Sequence, residues 1–191
     1  MLENELKQRG HKVVSTCEPG GTMLGKRVRE ILLDEEMQVA PLAELLLFAA
    51  DRAQHVETLV RPALEKNQIV ISDRFADATV AYQGAGRGFD ARIIKQLIKL
   101  ATNNLKPDLT IFFDLTVDES VARTTRRAAQ GLTQNRLDKE KPAFHTRVRD
   151  AYLETAAAEP DRFRVIDSSA SVSEIHAQVL EIVNSLLAQK T

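Results

Sequence analysis

The sequence is short of several things, and each shortage closes off a class of protein. One cysteine, Cys17, in 191 residues excludes an internal disulfide and fits a reducing compartment, so a cytoplasmic location is expected. No apolar run approaches the roughly 20 residues of a membrane span. The first residues lack the basic-then-apolar pattern of a secretory signal, and no membrane partner is expected. The formal net charge is −1, which removes any bulk electrostatic case for nucleic acid. His11, His55, His145 and His176 have no metal-ligand spacing, and neither a Ser/His/Asp triad nor a Cys/His cluster is evident. Internal repeats and low-complexity tracts are lacking too.

What is present alternates. Apolar runs at 12–16, 69–72, 109–113 and 163–166 read as buried strands, and the segments between them carry helical periodicity. Met1–Arg9 reads as a short helix with no capping residue ahead of it, stopped by Gly10. Ala40–Lys66 reads as a long helix whose apolar stripe is Leu42, Leu45, Leu46, Ala49, Ala53, Val56, Leu59, Val60 and Ala63, with Pro62 ending or kinking it. Thr116 with Glu119, and Ser171 with Glu174, have capping-box spacing ahead of helices. The alternation predicts an α/β fold, a parallel sheet covered by helices on both faces. The length bounds it to one domain over residues 1–191.

The chemistry concentrates at Ile69–Gly88. Asp73 and Arg74 close the second strand, at the end where open α/β sheets bind ligands. A carboxylate there can hold Mg²⁺ through water, and a guanidinium can fork onto a phosphate. Read alone, the pair is equally an ordinary surface ion pair. Gly84–Gly88 reads as a flexible turn carrying Arg87. Phe48 and Arg52, one helical turn apart, suit a platform for a planar base, or else Phe48 is core. Arg123, Arg126, Arg127, Arg147 and Arg149 ride on two helices joined by the polar stretch Gly131–Lys141. Such a pair suits a lid over phosphates, at about 123–147, as it also suits a solvated charged surface. Gly20–Lys26 fits the first seven places of the phosphate-cradling pattern G-x-x-x-x-G-K-[ST]. Arg27 stands where that pattern needs a Mg²⁺-binding hydroxyl, so a phosphate loop is not expected there.

The segments EPGGT at 18–22, ELLLFAADRAQHV at 44–56, DRF at 73–75, AYQGAGRG at 81–88, PDLTIFFDL at 107–115, NR at 135–136 and FHTRVRDAYLE at 144–154 occur in this order. Together they make the chain resemble the bacterial thymidylate kinase (dTMP kinase) family from Met1 to about Leu187. The resemblance implies a three-layer P-loop kinase-like fold and transfer of the γ-phosphoryl of ATP to dTMP with Mg²⁺, by a homodimer. It implies that Phe48 stacks on thymine and Arg52 hydrogen-bonds its edge, with Thr79 and Gln83 beside the base. Arg74 would hold the dTMP phosphate, assisted by Arg29, and Asp73 would sit near the metal. Arg123, Arg126, Arg127 and Arg136 would cover the ATP phosphates, with Arg126 and Arg136 candidates to reach the transferred group.

The chain also departs from the family. Cys17, Phe75, Ala78 and Asn135 stand where other residue types are frequent. The family opens with a central strand and a true P-loop, and Met1 aligns inside the helix that follows them. The chain as written is therefore expected to be an N-terminally shortened form with impaired activity. The alternative is a degenerate kinase that keeps the dTMP pocket and binds without catalysis.

Overall fold

The structure is a computed structural model that describes residues 1–131 and 134–189. Helix α1 (Leu2–Gln8) leads into strand β1 (Val13–Cys17), followed by α2 (Met23–Leu33) and α3 (Pro41–His55). After a wider turn over Val56–Val60 come α4 (Arg61–Glu65), β2 (Ile69–Asp73), α5 (Ala76–Thr79) and α6 (Ala91–Thr102). Strand β3 (Thr110–Asp114), α7 (Val117–Ala129), α8 (Pro142–Ala158), β4 (Phe163–Asp167) and α9 (Val172–Gln189) complete the chain.

Every expected strand forms at its apolar run. β1 lies parallel to β2, with Val13 opposite Ile69 and Cys17 opposite Asp73. β3 lies parallel to β4, with Thr110 opposite Phe163 and Asp114 opposite Asp167. The helices between successive strands make parallel pairing possible, because a parallel neighbour needs a crossover. The four strands hydrogen-bond as two pairs, and among the described residues no strand bonds to both β2 and β3. Both pairs nonetheless pack on one core of Leu6, Val13, Ile166, Val179 and Val183, with Ile71 and Ile111 against it. This core also accounts for α1. Met1 makes no side-chain cap bond, and a helix this short is unstable alone; Leu6, fully buried under α9, holds it.

Helix α3 departs from its expected stripe. Leu45, Val56, Val60 and Ala63 are buried, but Leu42 and Leu46 are 57% and 52% exposed. The inward face is instead Glu44, Asp51, Arg52 and His55, positions that the same helical period brings to one side. Their burial is tolerable only because distant segments supply partners. Pro62 does not end the helix. Proline lacks an N–H and crowds the carbonyl four residues back, and the chain accommodates this by widening to a π-helical turn at Val56–Val60.

Gly84–Gly88 is likewise not a flexible turn. Val80–Gly86 continues α5 as a π-helical turn in which Ala81, Gln83 and Gly86 are buried. A Cβ on Gly86 would sit 2.6 Å from Phe144 Cε2, so glycine permits the close approach of α8. Phe144, Val148 and Ala151 of α8 then form a second core with Ala81. Both capping boxes form: Thr116 Oγ1 accepts from the Glu119 N–H at 3.3 Å, and the Ser171 N–H donates to Glu174 Oε2 at 2.9 Å.

Candidate active site

A cleft opens beyond the C-terminal ends of β1 and β2. The Glu18 N–H, just past β1, donates to Asp73 O at 3.0 Å and ties the two strand ends together. Glu18, Phe48, Arg52, Arg74, Ala78, Thr79, Tyr82, Gln83 and Leu137 line the cleft. Five of these, Phe48, Arg52, Arg74, Thr79 and Gln83, were candidates on sequence. They arrive from α3, from the end of β2, and from α5 with its π-helical continuation.

Arg52 is 2% exposed and firmly held. Its Nε donates to Glu18 Oε2 at 2.8 Å, one terminal nitrogen to Thr79 Oγ1 at 2.7 Å, and the other to Phe75 O at 3.0 Å. Glu18 Oε1 lies 2.8 Å from His55 Nδ1, and His55 Nε2 lies 2.8 Å from Thr16 Oγ1. A carboxylate can only accept, so the His55 Nδ1 carries the hydrogen. The guanidinium is thus a fixed donor plate in the cleft wall. Next to it, Asp51 Oδ1 accepts from the Gly20 N–H at 3.3 Å, while its buried Oδ2 has no partner among the described residues. Burial, reinforced by the Glu18 charge, pushes the Asp51 carboxyl above its ordinary range, against the opposing Gly20 N–H, His55 and Arg52.

Arg74 has φ of 70°, a left-handed conformation that costs a side-chain-bearing residue about 1–2 kcal/mol. Strain of this kind collects where a side chain must be aimed. Ser72 Oγ donates to Arg74 O at 2.6 Å, and the guanidinium lies 4.6 Å from the Tyr82 ring centre. Asp73, the last residue of β2, is exposed beside it.

The remaining arginines are placed apart. Arg136 is bonded through a terminal nitrogen to Glu44 Oε2 at 2.6 Å and through Nε to Leu32 O at 3.2 Å. This sets the neighbouring Leu137 into the cleft. Glu44 is fully buried. Burial alone would raise its pKa, but hydrogen bonds from Arg87, Gln83 and Arg136 outweigh that and hold it below the usual carboxylate range. Its contribution to stability is therefore present above its unfolded value and is lost as pH falls through the folded one. Arg29 donates to Pro19 O at 2.8 Å and supports the loop after β1. Arg123 donates to Ser168 O at 2.8 Å, beyond β4. Arg126 and Arg127 are exposed on α7, Arg126 bonding back to Ala122 O. Arg147 and Arg149 are bonded to neighbouring elements. Arg147 holds the carbonyls of Ala85 and Gly86, and Arg149 grips Asp114 with two bonds of 2.6 and 2.7 Å. They fasten α8 to its neighbours. Leu132 and Thr133, within the expected lid, lie outside the described residues.

Glu18, Tyr82 and Leu137 were not singled out from sequence, nor were Glu44 and His55 behind the cleft. Glu18 carried a usable signal, since it follows an apolar strand just as Asp73 closes one. Among the described residues no group of three His, Cys, Asp or Glu side chains is placed to hold a metal. No described helix is long and apolar enough to cross a membrane.

The chain is similar to known proteins in sequence and in fold. A family model described as thymidylate kinase matches residues 1–179. A thymidylate kinase of Clavibacter michiganensis subsp. michiganensis is 47% identical over 188 residues, covering 98% of this chain and 88% of that protein. One of Leifsonia xyli subsp. xyli is 51% identical over 179 residues, 94% of this chain and 83% of the relative. The crystal structure of thymidylate kinase from Ehrlichia chaffeensis superposes with a TM-score of 0.74 at 32% identity, over 96% of this chain and 88% of that one.

Proposed function

The chain belongs to the thymidylate kinase family, a family of nucleoside monophosphate kinases, and on that premise we propose that its cleft binds dTMP as acceptor of the γ-phosphoryl of ATP. One observation carries the reading: Phe48, Arg52, Arg74, Thr79 and Gln83 line a single cleft at the strand ends. Phe48 supplies a flat apolar face for thymine, and Arg52, held by its other bonds, supplies a fixed donor for a carbonyl on the base edge. Arg74 supplies the charge for the 5′-phosphate. Phosphoryl transfer needs positioning and charge stabilisation rather than a protein nucleophile, and these groups provide the acceptor's share of both.

Mg²⁺ typically keeps several waters and takes one or two carboxylates along with phosphate oxygens. Asp73, a single exposed carboxylate at the end of β2, fits that demand through water. When bound, the ion would offset charge on the phosphates. On a lid spanning about 123–147, Arg126 and Arg127, exposed on α7, are the first candidates for the ATP side; Arg123 and Arg136 would reach it only by leaving Ser168 O and Glu44. The single domain, the unpaired cysteine and the family together support action in the cytoplasm.

Calorimetric titration with dTMP tests the acceptor site, and a coupled ADP-release assay tests transfer. dTMP binding with ADP release is the expected result; absence of dTMP binding would sink the proposal. A second reading is dTMP binding without transfer. It draws on Gly20–Lys26, the stretch most like the phosphate-cradling G-x-x-x-x-G-K-[ST] pattern. There Thr22 caps α2 and Gly25 packs on Asp51, while Arg27 pairs with Glu30. Binding with no ADP release would select this second reading.

The assembly proposed is a homodimer. Leu42 and Leu46 on α3, and Ile93 and Leu100 on α6, are 57%, 52%, 53% and 79% exposed. These exposed leucines and an isoleucine, on two helices that touch each other, offer apolar surface for a second copy. Light scattering behind size exclusion should give twice the 21.3 kDa of the chain, and Leu46→Glu should return it to the monomer mass. A monomeric wild-type chain would overturn the assignment.

A further inference from the structure

Glu44 accepts four side-chain hydrogen bonds, and the proposed chemistry gives it no task. It sits in the first turn of α3 with no exposed surface. Its Oε1 accepts from Gln83 Nε2 at 2.9 Å and from Arg87 Nε at 3.1 Å. Its Oε2 accepts from the terminal nitrogens of Arg87 at 2.9 Å and Arg136 at 2.6 Å. An ionised carboxylate has about four lone-pair directions, and here donors from the π-helical turn after α5, its end and the segment before α8 occupy them all.

We propose that Glu44 is the positioning residue of the acceptor cleft, fixing the Gln83 amide and the Arg136–Leu137 wall so that the cleft selects a pyrimidine with a ring N–H beside a carbonyl. The proposal rests on the reading of the cleft as a dTMP site. A carboxylate cannot donate, so Gln83 must turn its NH₂ to Glu44 and its oxygen away from it. Free in solution, an amide flips readily; pinned to Glu44, this one cannot. Gln83 lines the cleft beside Arg52. The base edge therefore meets an amide oxygen from Gln83 and the one N–H of Arg52 not committed to Glu18, Thr79 or Phe75. Thymine and uracil offer the complementary N–H and carbonyl. Cytosine offers a bare ring nitrogen and an amino group, and would set like against like. Arg136 works in parallel: anchored on Glu44 and Leu32 O, it keeps the buried Leu137 in the cleft wall.

Glu44→Gln removes the charge and adds a donor, so the Gln83 amide can take either orientation. Arg87 would keep Glu140 at 2.6 Å as partner, so the change does not leave Arg87 wholly unpaired. Calorimetry with dTMP and with dCMP on the full chain reads the effect. The ratio of the two affinities is expected to fall roughly tenfold or more in Glu44→Gln, and by a similar factor in Gln83→Met. In the double variant the falls should not multiply, because both act through one amide. If Glu44 only held the fold together, melting temperature would drop while the affinity ratio stayed put, since both ligands meet the same folded fraction. A ratio unchanged within about twofold, or falls that multiply, would overturn the proposal. Should Glu44→Gln not fold, Glu44→Asp, which keeps the charge but withdraws it by one methylene, carries the same expectation. A wild-type chain that binds no dTMP overturns the cleft reading and this proposal together. One that binds dTMP while the variants keep its selectivity overturns this proposal alone.

Discussion

Arg52→Met is expected to destabilise the chain by about 3–5 kcal/mol and to abolish measurable dTMP binding. Arg52 and Glu18 are each 2% exposed, so water can compensate neither. Removing the cation leaves Glu18 buried with His55 as its remaining side-chain partner. Breaking such a pair is far costlier than never having had it, because the uncompensated charge stays in the low-dielectric interior. At this chain length each kcal/mol moves the melting temperature by about 2–4 °C, so a fall of about 6–20 °C should appear in thermal denaturation. Adding Glu18→Gln to the same chain should recover part of that loss, since both charges are then gone. It should not recover binding, because the donor facing the base is gone as well. A melting temperature within about 2 °C of wild type would refute this account of the pair.

Arg74→Gly should separate function from stability. The wild-type residue is held at φ 70°, which costs a side-chain-bearing residue about 1–2 kcal/mol. Glycine adopts this conformation freely but gives up roughly 0.5–1 kcal/mol through the greater freedom of the unfolded chain. The balance is near zero or slightly favourable, so the melting temperature should hold or rise. Binding should suffer. A charge-assisted contact to phosphate contributes about 1.5–3 kcal/mol, and its loss should raise the Kd for dTMP roughly 10- to 100-fold. Arg74→Ala makes a useful companion: it loses the same contact but keeps the strain, so it should bind as weakly and melt lower than Arg74→Gly. An unchanged Kd in either variant would remove Arg74 from the phosphate site.

Both predictions depend on features of unequal visibility in the chain. The Asp73-Arg74 pair was legible because an apolar strand ending in charged residues is a local pattern. The strand's own direction then aims that end at the ligand side of the sheet. The backbone strain at Arg74 was not legible, since nothing in DRF demands a positive φ. The Phe48–Arg52 spacing was legible as one turn of helix. The clamp on Arg52 was not, since Glu18 and Thr79 lie 34 and 27 residues away in sequence.

What the sequence determined by itself was everything set over three or four residues or by a run of one kind. The four strands lie where the apolar runs lie, and the Thr116 and Ser171 caps form because their partners are three residues on. Family membership follows from the ordered motifs as well. What only the tertiary structure decided was the fate of charges and of close approaches. Periodicity assigned Leu42 and Leu46 to the buried stripe. The fold instead buries Glu44, Asp51, Arg52 and His55, because a charge can be buried wherever distant donors or acceptors meet it. Gly86 matters because α8 brings Phe144 close against it. Arg147 and Arg149, which looked like lid cations, are spent on carbonyls and on Asp114. Local hydrogen bonds are written in spacing; the pairing of a buried charge is written only in the fold that brings its partner to it.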